Sequence, residues 1–126
     1  MNLHESGENY LETILLLKRR MGEVRSIDIA NELDYSKPSV SRAVGILRES
    51  GYITVDDNGL IQFTEKGRKR AEGVYERHRI IGEFLKMSLG LDSALADTDA
   101  CRIEHIISPE TFARIKRYVA ERGDKA

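Results

Sequence analysis

The sequence predicts a mainly α-helical fold with one β-hairpin near the middle of the chain. Apolar residues recur at helical spacing through most of the 126 residues. The exception is a pair of β-prone segments, 52–55 and 60–63, joined by a turn that contains Asn58-Gly59. Asn-Gly between two such segments is a strong hairpin signal. The length fits one domain, or a very small domain with a helical appendix.

Three helices are expected before the hairpin. The first places Asn9 and Glu12 three residues apart, on one face. Ser26 is expected to be the N-cap of the second helix. Ser36 is expected to cap the third, with Pro38 in its first turn, where the missing N–H costs little. Each of these helices carries one apolar stripe, so each should pack against a common core.

Three more helices are expected after the hairpin. Thr64 opens a long one that reaches to about Leu89, and another lies within residues 91–107. Ser108 opens the last helix, which ends at Gly123. We therefore predict a first domain over residues 1–70 and a second, helical domain over residues 71–126.

Two short helices, a tight turn, a third helix and a hairpin, in this order, are typical of a winged helix-turn-helix. Its third helix would bury its apolar side and present a polar side to base edges and phosphates in a major groove. The candidate DNA contacts on this helix are Lys37, Pro38, Ser39, Ser41 and Arg42. In the wing, Asp56-Asp57 suits phosphate poorly, so wing contacts are expected from Asn58 and backbone N–H groups. The alternative is a helical bundle whose third helix is simply solvated.

Overall charge does not identify a partner. Twenty Lys and Arg residues against 21 Asp and Glu give a net charge of −1, so a DNA-binding surface must arise from local arrangement. No apolar run approaches the length of a membrane span, and the first residues lack the pattern of a secretory signal. A lone cysteine, Cys101, cannot form an internal disulfide. These features predict a cytoplasmic protein without a membrane partner.

A second candidate site lies near the end of the fifth expected helix. At helical spacing Cys101, Glu104 and His105 fall within one narrow arc, and Asp97 joins them one turn earlier. Apolar residues, Ile106 among them, occupy the opposite side. A thiol, a carboxylate and an imidazole are the groups that bind divalent transition metals.

The long helix adds His78, which lies in the middle of an apolar stripe. A lone histidine there is more often a core residue than a ligand. We consider His78 a candidate ligand only because the chain also contains the cluster of Cys101, Glu104 and His105. A separate stripe is formed by Ile80, Phe84 and Met87. Two apolar faces indicate burial on two sides, one of them against a second subunit. A central helix in a monomer is the alternative.

The chain resembles the diphtheria-toxin-repressor family of metal-dependent transcriptional repressors, which includes iron-dependent regulators and the manganese transport regulator. The segments that carry the resemblance are Glu8-Asn9-Tyr10-Leu11-Glu12, Pro38-Ser39-Val40-Ser41, Arg77-His78-Arg79 and Ala100-Cys101-Arg102-Ile103-Glu104-His105. The match covers almost the whole chain. It implies a DNA-binding winged helix followed by a helical domain for metal binding and dimerisation. The length leads us to expect the short form, without the SH3-like third domain of longer members.

The resemblance also implies a set of metal ligands: Asn9, Glu12, His78, Cys101, Glu104 and His105. Glu12 follows the manganese-type pattern and Cys101 the iron-type pattern, whereas Asn9 replaces the Asp or Met found in the two types. Asp97 stands where iron types place an ancillary His, and Gly82 where they place an ancillary Glu. Because a thiolate is softer than a carboxylate, we expect Fe(II) first and Mn(II) next, with Zn(II) as a further candidate.

These observations predict a homodimeric, metal-activated repressor of iron or manganese homeostasis genes. It would bind double-stranded operator DNA, take no small-molecule substrate and not be an enzyme. The alternative is a metal-independent winged-helix regulator in which the Cys/Glu/His cluster is structural. A small metallohydrolase is a weaker candidate, because the sequence contains no His-Glu-x-x-His motif and no cofactor-type glycine loop.

Overall fold

The computed structural model describes residues 5–123 and, within them, contains six helices and one antiparallel pair of strands. In chain order they are α1 (Glu5–Met21), α2 (Ser26–Leu33), α3 (Lys37–Glu49), β1 (Ile53–Val55), β2 (Ile61–Phe63), α4 (Glu65–Leu89), α5 (Ser93–Ile103) and α6 (Pro109–Gly123). The mainly helical fold with one hairpin is therefore confirmed. The first residues, in which we expected no secretory signal, lie mostly outside the described part of the chain, because residues 1–4 are not described.

The chain divides into two compact units, Met1–Glu72 and Gly73–Ala126. The core of the first unit is formed by the apolar stripes of α1, α2 and α3 together with the hairpin. Its fully buried side chains include Leu11, Ile14, Leu17, Val24, Ile29, Val40, Leu47, Ile53 and Ile61. Burial of one such side chain contributes roughly 1.5–3 kcal/mol, so this core is the main source of stability for the unit.

The start of α2 differs from the prediction by one residue. Ser26 is the first helical residue and Arg25 is the N-cap. The backbone N–H of Arg25 donates to Oδ2 of Asp28 at 2.8 Å. The carboxylate at the third helical position therefore supplies the cap contact that we expected from the Ser26 hydroxyl.

The wing turn is organised by one carboxylate. Oδ1 of Asp56 accepts hydrogen bonds from the backbone N–H groups of Asn58 at 2.8 Å and Leu60 at 2.9 Å. Gly59 has φ +80°, in the left-handed region that glycine enters without a steric penalty. The predicted hairpin, with Asn-Gly in its turn, is confirmed.

The first turn of α4 packs directly on the start of the hairpin. Oγ1 of Thr64 accepts from the N–H of Gly67 at 3.1 Å and donates to the carbonyl of Gly51 at 2.6 Å. Gly67 is buried, and a Cβ atom there would lie 1.7 Å from the carbonyl oxygen of Tyr52. The predicted helix from Thr64 to Leu89 is confirmed, and its close approach requires glycine.

The second unit has a core between α4 and α5. Its buried residues are Ile81, Leu85, Ala96 and Ala100, and the partly buried Phe84, Leu91, Ile103, Ile107 and Phe112 pack against them. This core brings the face of α4 that carries His78 next to the face of α5 that carries Asp97 and Cys101.

In the second unit, the end of α5 differs from the prediction, and the start of α6 confirms it. Helix α5 lies within residues 91–107, as expected, but it ends at Ile103, before Glu104 and His105. Ile106, which we expected on the apolar side, is 77% exposed. The predicted start of α6 is confirmed, because Oγ of Ser108 accepts from the N–H of Thr111 at 3.1 Å. Among residues 5–123 no helix combines the length and apolar character needed to cross a membrane.

Candidate metal centre and nucleic-acid interface

The predicted DNA contacts lie on the solvent side of α3. Its N-cap is Ser36, whose Oγ accepts from the N–H of Ser39 at 3.3 Å, and Pro38 lies in the first turn, as expected. The apolar side of the helix is buried in the core. All five predicted contacts are exposed: Lys37, Pro38, Ser39, Ser41 and Arg42. These five residues therefore present two cations and two hydroxyl groups to solvent.

A shallow pocket of about 220 Å³ lies beside this surface, lined by Ser26, Ile27, Lys37 and Ser41. Ser26 begins α2 and Lys37 begins α3, so two helix N-termini meet here. Helix N-termini and a lysine favour anions. Of its four lining residues, Lys37 and the hydroxyl groups of Ser26 and Ser41 could contact an anion, whereas Ile27 could not.

The wing differs from the expectation that its backbone N–H groups are available to DNA. Those of Asn58 and Leu60 donate to the Asp56 side chain, and that of Gly59 donates to the Asp56 carbonyl at 3.0 Å. The prediction of backbone contacts from this turn is therefore wrong at these three positions. These N–H groups already donate hydrogen bonds within the turn, because the side chain and the carbonyl of Asp56 accept them.

The structure instead places a cation beside the wing that the sequence did not indicate. Nε of Arg25 donates to the carbonyl of Asn58 at 3.1 Å, and the N–H of Ile61 donates to the carbonyl of Val24 at 2.8 Å. The segment before α2 is thus fastened to the wing at two points. No periodic pattern reveals this, because the partners are more than thirty residues apart.

In the second unit, α4 and the end of α5 bring three ligand-type side chains together. One ligand atom from each of His78, Cys101 and Glu104 lies within 4.8 Å of the others. Nδ1 of His78 is 2.8 Å from Oε2 of Glu104, and its Nε2 is 2.5 Å from Oδ1 of Asp97. His105 adjoins the group through Glu104, because its Nε2 is 3.2 Å from Oε1.

Burial of Glu104 indicates what this group of side chains can hold. The carboxylate is fully buried, and its contacts with the His78 and His105 rings, at 2.8 and 3.2 Å, lack hydrogen-bond geometry among the described residues. Burial of a carboxylate costs several kcal/mol unless a partner compensates for it. Imidazole, thiolate and carboxylate together are a typical ligand set for a divalent transition metal. The residues present therefore fit such an ion.

Glu104 and His105 lie in a turn rather than on the predicted helix. Glu104 is the C-cap of α5, with φ −58° and ψ −25°, and its N–H still donates to the carbonyl of Ala100 at 3.0 Å. The N–H of His105 donates to Arg102, only three residues back, at 3.4 Å. Cys101 and Glu104 therefore keep the helical relation that we predicted, whereas His105 follows a tighter turn.

Asn9 and Glu12 lie on α1 in the first unit. Glu12 is 6% exposed, and Asn9 is half-buried, with its carbonyl accepting from Oγ1 of Thr13 at 2.8 Å. Tyr10 lies between these two residues in the sequence. Burial raises the pKa of its phenol, and the neighbouring Tyr35 raises that pKa further. Metal binding by Asn9 and Glu12 stays a prediction.

The chain matches two described families of protein domains. Residues 2–60 match the N-terminal DNA binding domain of iron dependent repressors. Residues 64–123 match the metal binding and dimerisation domain of iron dependent repressors.

Relatives match along most of the chain. An HTH-type transcriptional regulator of Methanocaldococcus jannaschii is 32% identical over 98% of this chain and 99% of its own length. The transcriptional regulator MntR of Escherichia coli O6:H1 is 33% identical over 94% of this chain and 76% of its own. The diphtheria toxin repressor of Corynebacterium diphtheriae is 31% identical over 95% of this chain. This chain spans 53% of that longer protein.

Solved structures share the fold. The manganese regulator SloR superposes with a TM-score of 0.80 at 27% identity, over 95% of this chain and 55% of its own. A manganese-dependent transcriptional repressor in complex with manganese gives 0.82 at 26% identity, over 90% of this chain and 52% of its own. The resemblance that the sequence motifs indicated is confirmed: the chain belongs to the iron-dependent repressor family of metal-dependent transcriptional regulators.

Proposed function

We propose that this protein is a homodimeric, metal-activated, DNA-binding repressor of iron or manganese homeostasis genes. The observation that carries the proposal is the convergence of His78, Cys101 and Glu104 in a chain whose α3 exposes a cationic, hydroxyl-rich face. Membership of the iron-dependent repressor family supports the same conclusion.

Three residues supply the core of the proposed ligand set. His78 offers an imidazole nitrogen, Cys101 a thiolate and Glu104 a buried carboxylate. A bound divalent ion would supply the positive charge that the buried Glu104 carboxylate calls for. His105 is proposed as a further ligand because it adjoins Glu104.

Asn9 and Glu12 are proposed as ligands from the family motif alone. They lie on α1, which also carries core residues of the DNA-binding unit. Ligation by these two residues would couple ion binding to the arrangement of that unit. Couplings of this kind are typically about 1–3 kcal/mol, or about 5- to 150-fold in affinity. That range is sufficient to switch operator occupancy.

The proposal is tested by metal-dependent binding to the DNA upstream of the protein's own gene. Gel-shift titrations would be run with Mn(II), with Fe(II) under anaerobic conditions, with Zn(II) and with chelator alone. We expect affinity in chelator to be about 5- to 150-fold weaker than with the activating ion. Equal affinity with and without chelator would instead favour the metal-independent winged-helix regulator.

The choice of metal is proposed to depend on Cys101. We propose Fe(II) as the preferred ion, then Mn(II), because a thiolate disfavours hard Mn(II) relative to Fe(II) or Zn(II). The variant Cys101→Glu should improve Mn(II) relative to the other two ions as a co-repressor in the same gel-shift assay. If the ranking of the three metals is the same in both proteins, the thiolate does not set the preference.

A further inference from the structure

Both ring nitrogens of His78 are in contact with carboxylates. Nδ1 lies 2.8 Å from Oε2 of Glu104, whose side chain is fully buried. Nε2 lies 2.5 Å from Oδ1 of Asp97, whose side chain is 73% exposed. The imidazole itself is only 18% exposed. One nitrogen therefore points to the buried ligand group and the other to a carboxylate near the surface.

A neutral imidazole has one N–H donor and one nitrogen with a free lone pair. Only the nitrogen with the lone pair can bind a metal ion, and a carboxylate on the other nitrogen fixes which one that is. Both carboxylates can accept from the ring, Asp97 from Nε2 and Glu104 from Nδ1. An ion held by Glu104 would need the lone pair of Nδ1, so in the metal-loaded protein the proton belongs on Nε2, where Asp97 accepts it. Nδ1, beside Glu104, is then left available as the ligand atom.

We infer that Asp97 is a positioning residue that holds His78 with its proton on Nε2 and presents Nδ1 to the metal. This inference rests on the proposed metal-binding function. It assigns to Asp97 a role through His78, and no direct bond to the ion.

A second ion held by Asp97 and Nε2 of His78 is the competing explanation. The described residues contain one group of three or more converging ligand side chains, and Asp97 is not in it. Two side chains, one of them largely exposed, supply too few ligands for a dedicated site. The hydrogen-bonded pair accounts for the observed contact without a further ion.

The test uses the full chain loaded with Zn(II), which is diamagnetic. Affinity and stoichiometry would be measured by competition with a chromophoric chelator for wild type, Asp97→Ala and Asp97→Asn. Asp99→Ala is the matched control. It removes a carboxylate from the same helix, and this carboxylate forms no ion pair with the described residues. NMR of the His78 ring would report which nitrogen carries the proton.

We expect Asp97→Ala to weaken Zn(II) binding about 10- to 100-fold with unchanged stoichiometry, as loss of an outer partner of a metal-bound histidine typically does. Asp97→Asn should recover part of the affinity, because its amide oxygen still accepts from Nε2. In wild type the ring proton should be on Nε2, and in Asp97→Ala its signal should broaden through faster exchange. Asp99→Ala should match wild type.

Three results would count against these conclusions, and they are distinguishable. Unchanged affinity in Asp97→Ala would overturn the positioning role. A stoichiometry that falls by one ion in both Asp97 variants would replace it with a second metal site. Failure of wild type to bind Zn(II), Mn(II) and Fe(II) alike would overturn the proposed function itself.

Discussion

Glu104 is the residue whose placement is hardest to explain without a ligand. Its carboxylate is fully buried and lies between the imidazoles of His78 and His105, at 2.8 and 3.2 Å. A fold that needed only stability would place an apolar side chain here, because replacing buried ionic groups by apolar ones is often neutral or stabilising. A local departure from good packing chemistry is typical of a functional site.

The substitution Glu104→Gln tests this explanation. Glutamine has nearly the same shape but is neutral, so it should bind a divalent ion far more weakly. Saturation at 100 times the dissociation constant stabilises a folded protein by about 2.7 kcal/mol. We expect added Zn(II) or Mn(II) to raise the thermal unfolding midpoint of wild type, and to have almost no effect on the variant.

Glu83→Gln is the matched control for that measurement. Glu83 is an exposed carboxylate on α4 that pairs with Lys86 at 3.1 Å. The same change there should leave the metal-induced rise in midpoint intact. A rise of equal size in the Glu104 variant would exclude its carboxylate as a ligand.

At the scale of the elements, the contact between α4 and the hairpin leaves the least space for a larger side chain. Gly67 lies in the first turn of α4, where an added Cβ would come 1.7 Å from the Tyr52 carbonyl oxygen. A backbone atom cannot rotate away as a side chain can, so either the helix or the hairpin would have to shift.

We therefore expect Gly67→Ala to lower the free energy of unfolding by about 3 kcal/mol, the upper end of what overpacking costs. Gly73→Ala is the control on the same helix, since nothing lies within 4 Å of its added Cβ. Alanine there should raise stability by about 0.5–1 kcal/mol. Urea unfolding followed by circular dichroism measures both, and equal gains in the two variants would contradict the close contact.

The elements themselves were largely predictable because their signals are local. Apolar spacing, the Ser36 cap and the Asn58-Gly59 turn each depend on a few neighbouring residues. The end of α5 was not predictable, because residues 91–108 contain no glycine or proline, and at His105 the backbone hydrogen bond reaches three residues back instead of four.

The candidate site was predictable in residue type but less so in geometry. Cys101 and Glu104 are close in sequence, so helical spacing alone brings them together. The contact of His78 with Asp97 joins residues 19 positions apart and depends on packing between α4 and α5. Arg25 at the wing was missed for the same reason, since its partner is the backbone of Asn58.

At the scale of the whole molecule, the charge balance limits how DNA can be bound. The net charge is −1, so no general positive field adds to the affinity. Binding must then depend on a few cations placed against phosphates. Lys37 and Arg42 are the two predicted contacts that carry charge, and both are exposed on α3.

The salt dependence of operator binding tests this conclusion. Each phosphate contact contributes about −0.9 to the slope of log affinity against log salt concentration. We expect Lys37→Ala or Arg42→Ala to make the slope shallower by about 1 for each subunit, and so by about 2 for a dimer on its operator. Lys116→Ala is the control: it also removes one positive charge, but from a lysine on α6 whose Nζ is 2.8 Å from Oε1 of Glu76. If the Lys116 variant changes the slope as much as the α3 variants, affinity depends on total charge, and α3 is not the surface that contacts phosphate.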